Sequence, residues 1–363
     1  MTERRPQFAC VTAGLVGIAI LHLGSIALAQ GALTDQSGTL TATPTGEKKS
    51  WLQQRFTGSW VNVSAYSGTS TFYSSGYRDP YVSNVVYLKP YFQLGTKYDL
   101  SLSTRVIIEE ELTTPDTPNG RRFYPEDTWL SLGAKNLYTA PRAKIKIGGG
   151  TRIVLPTSYE SLYSHLVFAL GASLGASRPF EFGKPDAQGK RWSLVLTLGS
   201  SFTKNFHTSE VRGNFPGDTT GCRETGPAGN VGGPSGVSGN DRCGGPLNTS
   251  FSVLSSGGVE LARGRYSLSV NLIVINNFRY SVDSSVWATT MLNEVPMGRQ
   301  DYSWGLITLS RDFNAHLSAS AGIASYQPAL DSRYQNLRFP FFDFSGANAN
   351  NFTQLFLGLT GTL

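Results

Sequence analysis

In segment after segment of this chain every second residue is apolar, and that period of two constrains the fold more than any other feature of it. Successive side chains of an extended chain point to opposite faces. The stretch AKIKIGGGTRIVLP at 143–156 therefore sets Lys144, Lys146 and Arg152 on one face and Ala143, Ile145, Ile147, Ile153 and Leu155 on the other. A soluble sheet between core and water accepts such a strand. So does a membrane barrel, whose greasy face meets lipid and whose other face lines a lumen. The connections separate the two. Alternating segments predict twelve strands, near 56–66, 82–94, 98–111, 126–136, 143–155, 164–178, 190–207, 250–262, 265–280, 301–311, 314–326 and 352–363. The even-numbered connections are short, at 95–97, 137–142, 181–189, 263–264 and 312–313. The odd-numbered ones run long and polar, at 67–81, 112–125, 156–163, 208–249, 281–300 and 327–351. Short turns on one side and long loops on the other are the pattern of an outer-membrane barrel. The predicted fold is all-β, a single antiparallel transmembrane β-barrel with short periplasmic turns and long extracellular loops.

Facing agrees along the chain. Leu194, Leu196 and Leu198 alternate with Ser193, Val195, Thr197 and Gly199, and Leu268, Val270 and Leu272 alternate with Ser267, Ser269 and Asn271. Leu100, Leu102, Val106 and Ile108 likewise alternate with Ser101, Ser103, Arg105 and Glu109. The 40 Gly, 20 Phe, 16 Tyr and 6 Trp suit a barrel with interfacial aromatic girdles, and Trp192, Phe202 and Phe206 fall on the lipid parity near the ends of their strand. The glycine run Gly148, Gly149 and Gly150 lacks the Lys-Ser/Thr and following helix of a phosphate loop, which leaves close approach or curvature in the wall as its reading.

The chain opens with Arg4 and Arg5, an apolar run to Leu28, and small residues at Ala27 and Ala29, which predicts a signal peptide over 1–29 that also removes Cys10. Residues 30–55 form an N-terminal periplasmic segment and 56–363 the barrel. Export puts the two remaining cysteines, Cys222 and Cys243, in an oxidising compartment, and a disulfide between them would tie down the Gly-rich extracellular loop 208–249. A free or metal-bound pair is the alternative, although no histidine or further cysteine stands near at ligand spacing. The net charge of +6 is spread out, with no basic cluster interleaved with aromatics, so nucleic acid is set aside as a partner. No cofactor or metal motif is read.

The final segment NFTQLFLGLTGTL, with Leu355, Leu357, Leu359 and Leu363 on one parity, resembles the terminal insertion strand of bacterial outer-membrane barrels, which usually end in an aromatic residue where this chain has Leu363. Channel-type barrels, including those grouped with aromatic-compound uptake, are similar in pattern over nearly the whole mature chain. The resemblance implies the outer membrane of a Gram-negative bacterium, lipid and small solutes as partners, and passive diffusion as the function. A second segment, NFHTSEV, resembles the His-x-Ser pair of outer-membrane phospholipases through His207 and Ser209, but Glu210 and Val211 replace that family's Asn-Gly. The strand's parity also turns His207 toward the lumen, away from lipid. A barrel whose loops bind a surface partner without transport is the remaining reading.

The predicted pore lining carries Lys89, Arg105, Lys144, Lys146, Arg152, Arg191 and Arg279 against Asp99, Glu109, Glu111 and Glu260, among many small Ser, Gly, Ala and Thr residues. Small side chains leave a twelve-stranded cylinder water-filled, and an excess of cations selects anions. The competing expectation is that these charges pair across strands. Glu109 and Glu111, with Glu110 turned outward, form a carboxylate group of the kind that does acid–base work, though a water-facing rim is its ordinary role.

Overall fold

The computed structural model describes residues 56–68, 82–95, 98–112, 122–185, 190–210, 247–281, 298–329, 337–342 and 353–362. The leader at 1–29, the segment 30–55, and both Cys222 and Cys243 lie outside the described residues. The strands are β1 (Phe56–Gly68), β2 (Val82–Gly95), β3 (Leu100–Glu111), β4 (Arg122–Pro125), β5 (Thr128–Ala140), β6 (Ile145–Leu155), β7 (Leu166–Phe182), β8 (Trp192–His207), β9 (Thr249–Arg263), β10 (Tyr266–Arg279), β11 (Arg299–Asp312), β12 (Leu317–Pro328) and β13 (Thr353–Thr362). Among the described residues one helix occurs, α1 (Tyr159–Tyr163), and no helix is long and apolar enough to cross a membrane.

All pairings are antiparallel, and β13 closes on β1 with Trp60 opposite Thr362 and Gly68 opposite Gln354, so the sheet has no free edge. Closure satisfies every ladder group inside the wall, which is what a strand-built membrane span requires. β4 and β5 share one place in the wall: Glu111 faces Arg122, while Leu100 to Arg105 face Ala134 to Trp129. The result is a closed twelve-stranded barrel. One expected strand, at 126–136, differs in detail: it starts at Thr128 and runs on to Ala140, and a break at Glu126 and Asp127 separates it from β4, which lies in the expected connection 112–125. Pro125 has no N–H for the ladder. The next residue restores it, the Glu126 amide donating to the Ile107 carbonyl at 3.0 Å. Asp127 accepts from the Ser158 amide at 3.0 Å and the Ser161 hydroxyl at 2.5 Å, latching the loop that carries α1 onto the break.

The glycine run is explained by a bulge. Register slips in β5 between Ala134, opposite Gly149, and Tyr138, opposite Ile147. A Cβ on Gly148 would lie 2.8 Å from the Lys135 carbonyl oxygen, and one on Gly150 2.7 Å from that of Leu132. The extra residues of the bulged strand press so closely on β6 that only glycine fits there.

On the outer face of β11–β13 the short segment 337–342 forms a strap. Gly305 shares the outward parity of Ile307 and Leu309, and a Cβ on it would run into the Pro340 carbonyl and Phe341. The Gln327 side-chain amide donates to the Phe339 carbonyl, and the Arg338 amide donates to the Ala329 carbonyl at 2.9 Å. Ser303, Ser325 and Thr353, polar residues on outward-facing positions, are thereby buried. Bare, they would present hydroxyls to hydrocarbon.

Candidate functional site: the lining of the barrel

Bulky apolar side chains line much of the lumen. Tyr302, Trp304 and Tyr326 pack with Ile273 and Ile275 on the inner face of β10–β12; Tyr66, Leu306, Ala324 and Phe356 form a second group; Tyr87 and Ile107 form a third. Trp129, Val154 and Ala169 complete the belt on β5–β7. This corrects the expectation of a lining made mainly of small residues. The signal was present in the parity: Tyr302, Trp304 and Leu306 alternate with Ser303, Gly305 and Ile307 just as the inward residues of other strands do.

Charge interrupts the belt at one place. Arg105, on β3, lies opposite Trp129 on β5 and stacks over its indole, the guanidinium carbon 3.4 Å from the ring centroid. Arg152, on β6, reaches the same ring at 4.4 Å. A desolvated cation over tryptophan gains about 2 kcal/mol. Arg105 also donates to the Glu126 carboxylate at 3.2 Å, an ion pair buried at both ends, made possible by the strand break that turns Glu126 inward. Arg152 donates to the Thr203 hydroxyl at 2.6 Å; among the described residues it forms no ion pair, and its buried Nε has no partner. Gly171, its cross-strand neighbour, makes the room: a Cβ there would stand 2.7 Å from that Nε.

The other predicted lining residues are more scattered than one inward stripe. Lys89 is half-buried on the inner parity of β2 opposite Trp60, and Glu109 is buried. Lys144 lies outside the strand, a correction to its expected place beside Lys146: with φ of 53° it sits in the turn, where its amide donates to the Ala140 carbonyl at 2.8 Å. Lys146 is exposed near the short-turn rim, opposite Ser177. Arg191 precedes β8 and is exposed, so it too stands off the wall. Glu260 is half-buried opposite Ser269, and Arg279, the last residue of β10, donates to the Gln300 side chain.

The opposite faces of the same strands carry the exposed leucines. Leu198 is 68% and Leu357 67% exposed, on the parity opposite Thr203 and Phe356, and the outer surface continues through Leu174, Leu309 and Leu359. Phe251 and Phe278, with Phe168 and Phe206, stack in pairs at 4.5 and 4.6 Å near the long-loop rim, where an interfacial aromatic belt belongs. A closed wall whose outward face is largely apolar has hydrocarbon as its solvent. The chain is a closed antiparallel β-barrel of the membrane-spanning kind.

No family model matches this barrel's sequence, and no curated protein is significantly similar to it. Among solved structures it is similar to the COG4313 outer membrane channel from Pseudomonas putida F1, at 13% identity and a TM-score of 0.44 over 89% of this chain and 100% of that one. It is similar also to the transport unit of the autotransporter AIDA-I from Escherichia coli, at 8% identity and a TM-score of 0.39 over 91% of this chain and 95% of that one. Outer membrane phospholipase A from Escherichia coli is fainter, at 10% identity and a TM-score of 0.25 over 90% of this chain and 96% of that one. In this barrel His207 lies on the inward parity of β8, edge-on to Tyr280 at 5.7 Å. Ser209 follows the strand's end, its carbonyl accepting from the Asn248 side-chain amide at 2.9 Å.

Proposed function

We propose that this barrel is an outer-membrane channel for passive diffusion of small polar solutes, with a preference for anions. The observation that carries the reading is Arg152, a cation on the lumen wall with no carboxylate partner among the described residues. An isolated charge in a low-dielectric setting is costly, and a passing anion relieves that cost. Charged groups along a bore select ions by sign. The pairing of Arg105 with Glu126 bears on the same point, because it neutralises the arginine next to Arg152. The long loops face outward from the cell on this reading, and a disulfide between Cys222 and Cys243 would tie down the longest of them. A hydrolase acting on lipid is disfavoured, since it needs its histidine and serine on the lipid face and His207 lies on the other. Solute-dependent swelling of liposomes holding the refolded protein tests the channel. Swelling in small-solute buffers is the expected result, and liposomes indistinguishable from protein-free controls would count against it.

A further inference from the structure

We infer that the cluster of Arg152, Trp129, Thr203 and Gly171 on the inner wall is a binding station for monocarboxylates that carry an apolar body. The inference rests on the channel reading only for how the solute reaches the cluster. Each half of the ligand is matched by something separate in the lining. For the head there is a guanidinium fork with one arm on the Thr203 hydroxyl at 2.6 Å and, among the described residues, no partner for its Nε and no carboxylate paired to it. Buried polar groups are almost always satisfied, so an orphaned one calls for a partner, and a carboxylate fits that planar fork in two places at once. Glycine at position 171 keeps the neighbouring wall free of a side chain, so Arg152 lies flat against β7. For the body there are Trp129, Val154 and Ala169 beside the arginine. Ile107, two residues along the inner face of β3 from Arg105, and Tyr87 opposite it on β2 extend the apolar surface. A chloride ion would use only the first half, and an uncharged alkane only the second.

Equilibrium dialysis of the refolded barrel in detergent micelles tests this with three probes: hexanoate, which has both halves; acetate, with the head alone; and 1-hexanol, with the body alone. Saturable hexanoate binding is expected, with acetate and 1-hexanol each weaker on the order of tenfold, the scale of one charged hydrogen bond or a few buried methylenes. Arg152→Gln should lose about as much as removing the ligand's charge does, whereas Arg152→Lys, which keeps the charge without the fork, should lose less. Hexanoate binding no tighter than that of either partial probe overturns the station. So does hexanoate binding unchanged in a folded Arg152→Gln barrel. Conductance in potassium chloride judges the channel separately. A conducting barrel without hexanoate binding overturns the station and spares the channel, while hexanoate binding to a barrel that never conducts supports the station and removes the channel.

Discussion

At the scale of single residues, the Arg105–Glu126 pair is the most exposed to disruption, because a buried ion pair is costly to halve. Removing Glu126 leaves a guanidinium under Trp129 with its carboxylate gone, and the expected loss is about 3 kcal/mol or more. Replacing both partners by apolar residues should recover most of it. Urea unfolding of Glu126→Ala against the Arg105→Met, Glu126→Ala double variant checks this, and a double variant weaker than the single one would mean the pair stabilises the wall by itself. Parity alone set Arg105 and Arg152 on the inner face, so the two cations of the site were legible in the sequence. Their surroundings were not. Glu126 turns inward only because the strand breaks after Pro125, and Trp129 comes beside Arg105 only through a cross-strand register that no local pattern contains. Lys144 misled for the opposite reason, since its left-handed turn conformation interrupts an alternation that reads as unbroken.

At the scale of elements, the strands were legible because lipid imposes a strict alternation on every one of them. The exposed leucines give a direct check of facing. Arginine at Leu198 would cost roughly 2–4 kcal/mol if that position lies near the bilayer midplane, whereas arginine at its neighbour Thr197 on the other parity should be tolerated. Band-shift electrophoresis of unheated samples reads the folded fraction, and equal damage from the two substitutions would mean the strand is inside out. The bulge of β5 against β6 was hidden, though its mark, three consecutive glycines, stood in plain view. Gly148→Val should block assembly because its Cβ would sit 2.8 Å from a backbone oxygen, while Gly133→Ala, with nothing within 4 Å, should fold normally. Folding yields into micelles compare them. For the loop at 208–249, a membrane-impermeant thiol reagent on intact cells should label Cys222 and Cys243 only after reduction, and labelling without reductant would refute the proposed bond.

At the scale of the whole molecule, closure and the apolar outer face account for a wall stable in a membrane, and the lining decides what that wall is for. Composition suggested a bore edged by small side chains. The barrel is narrower in chemical character than that, an apolar belt with one arginine cluster in it, because the aromatics counted as girdle residues are shared between both faces. A single recording tests the account most directly: current through the refolded barrel in a planar bilayer with a potassium chloride gradient across it. Discrete conductance steps are predicted, with a reversal potential on the anion-selective side that moves toward cation preference in Arg152→Glu. A barrel that inserts but passes no current, or one whose reversal potential is the same with glutamate at that position, would contradict it.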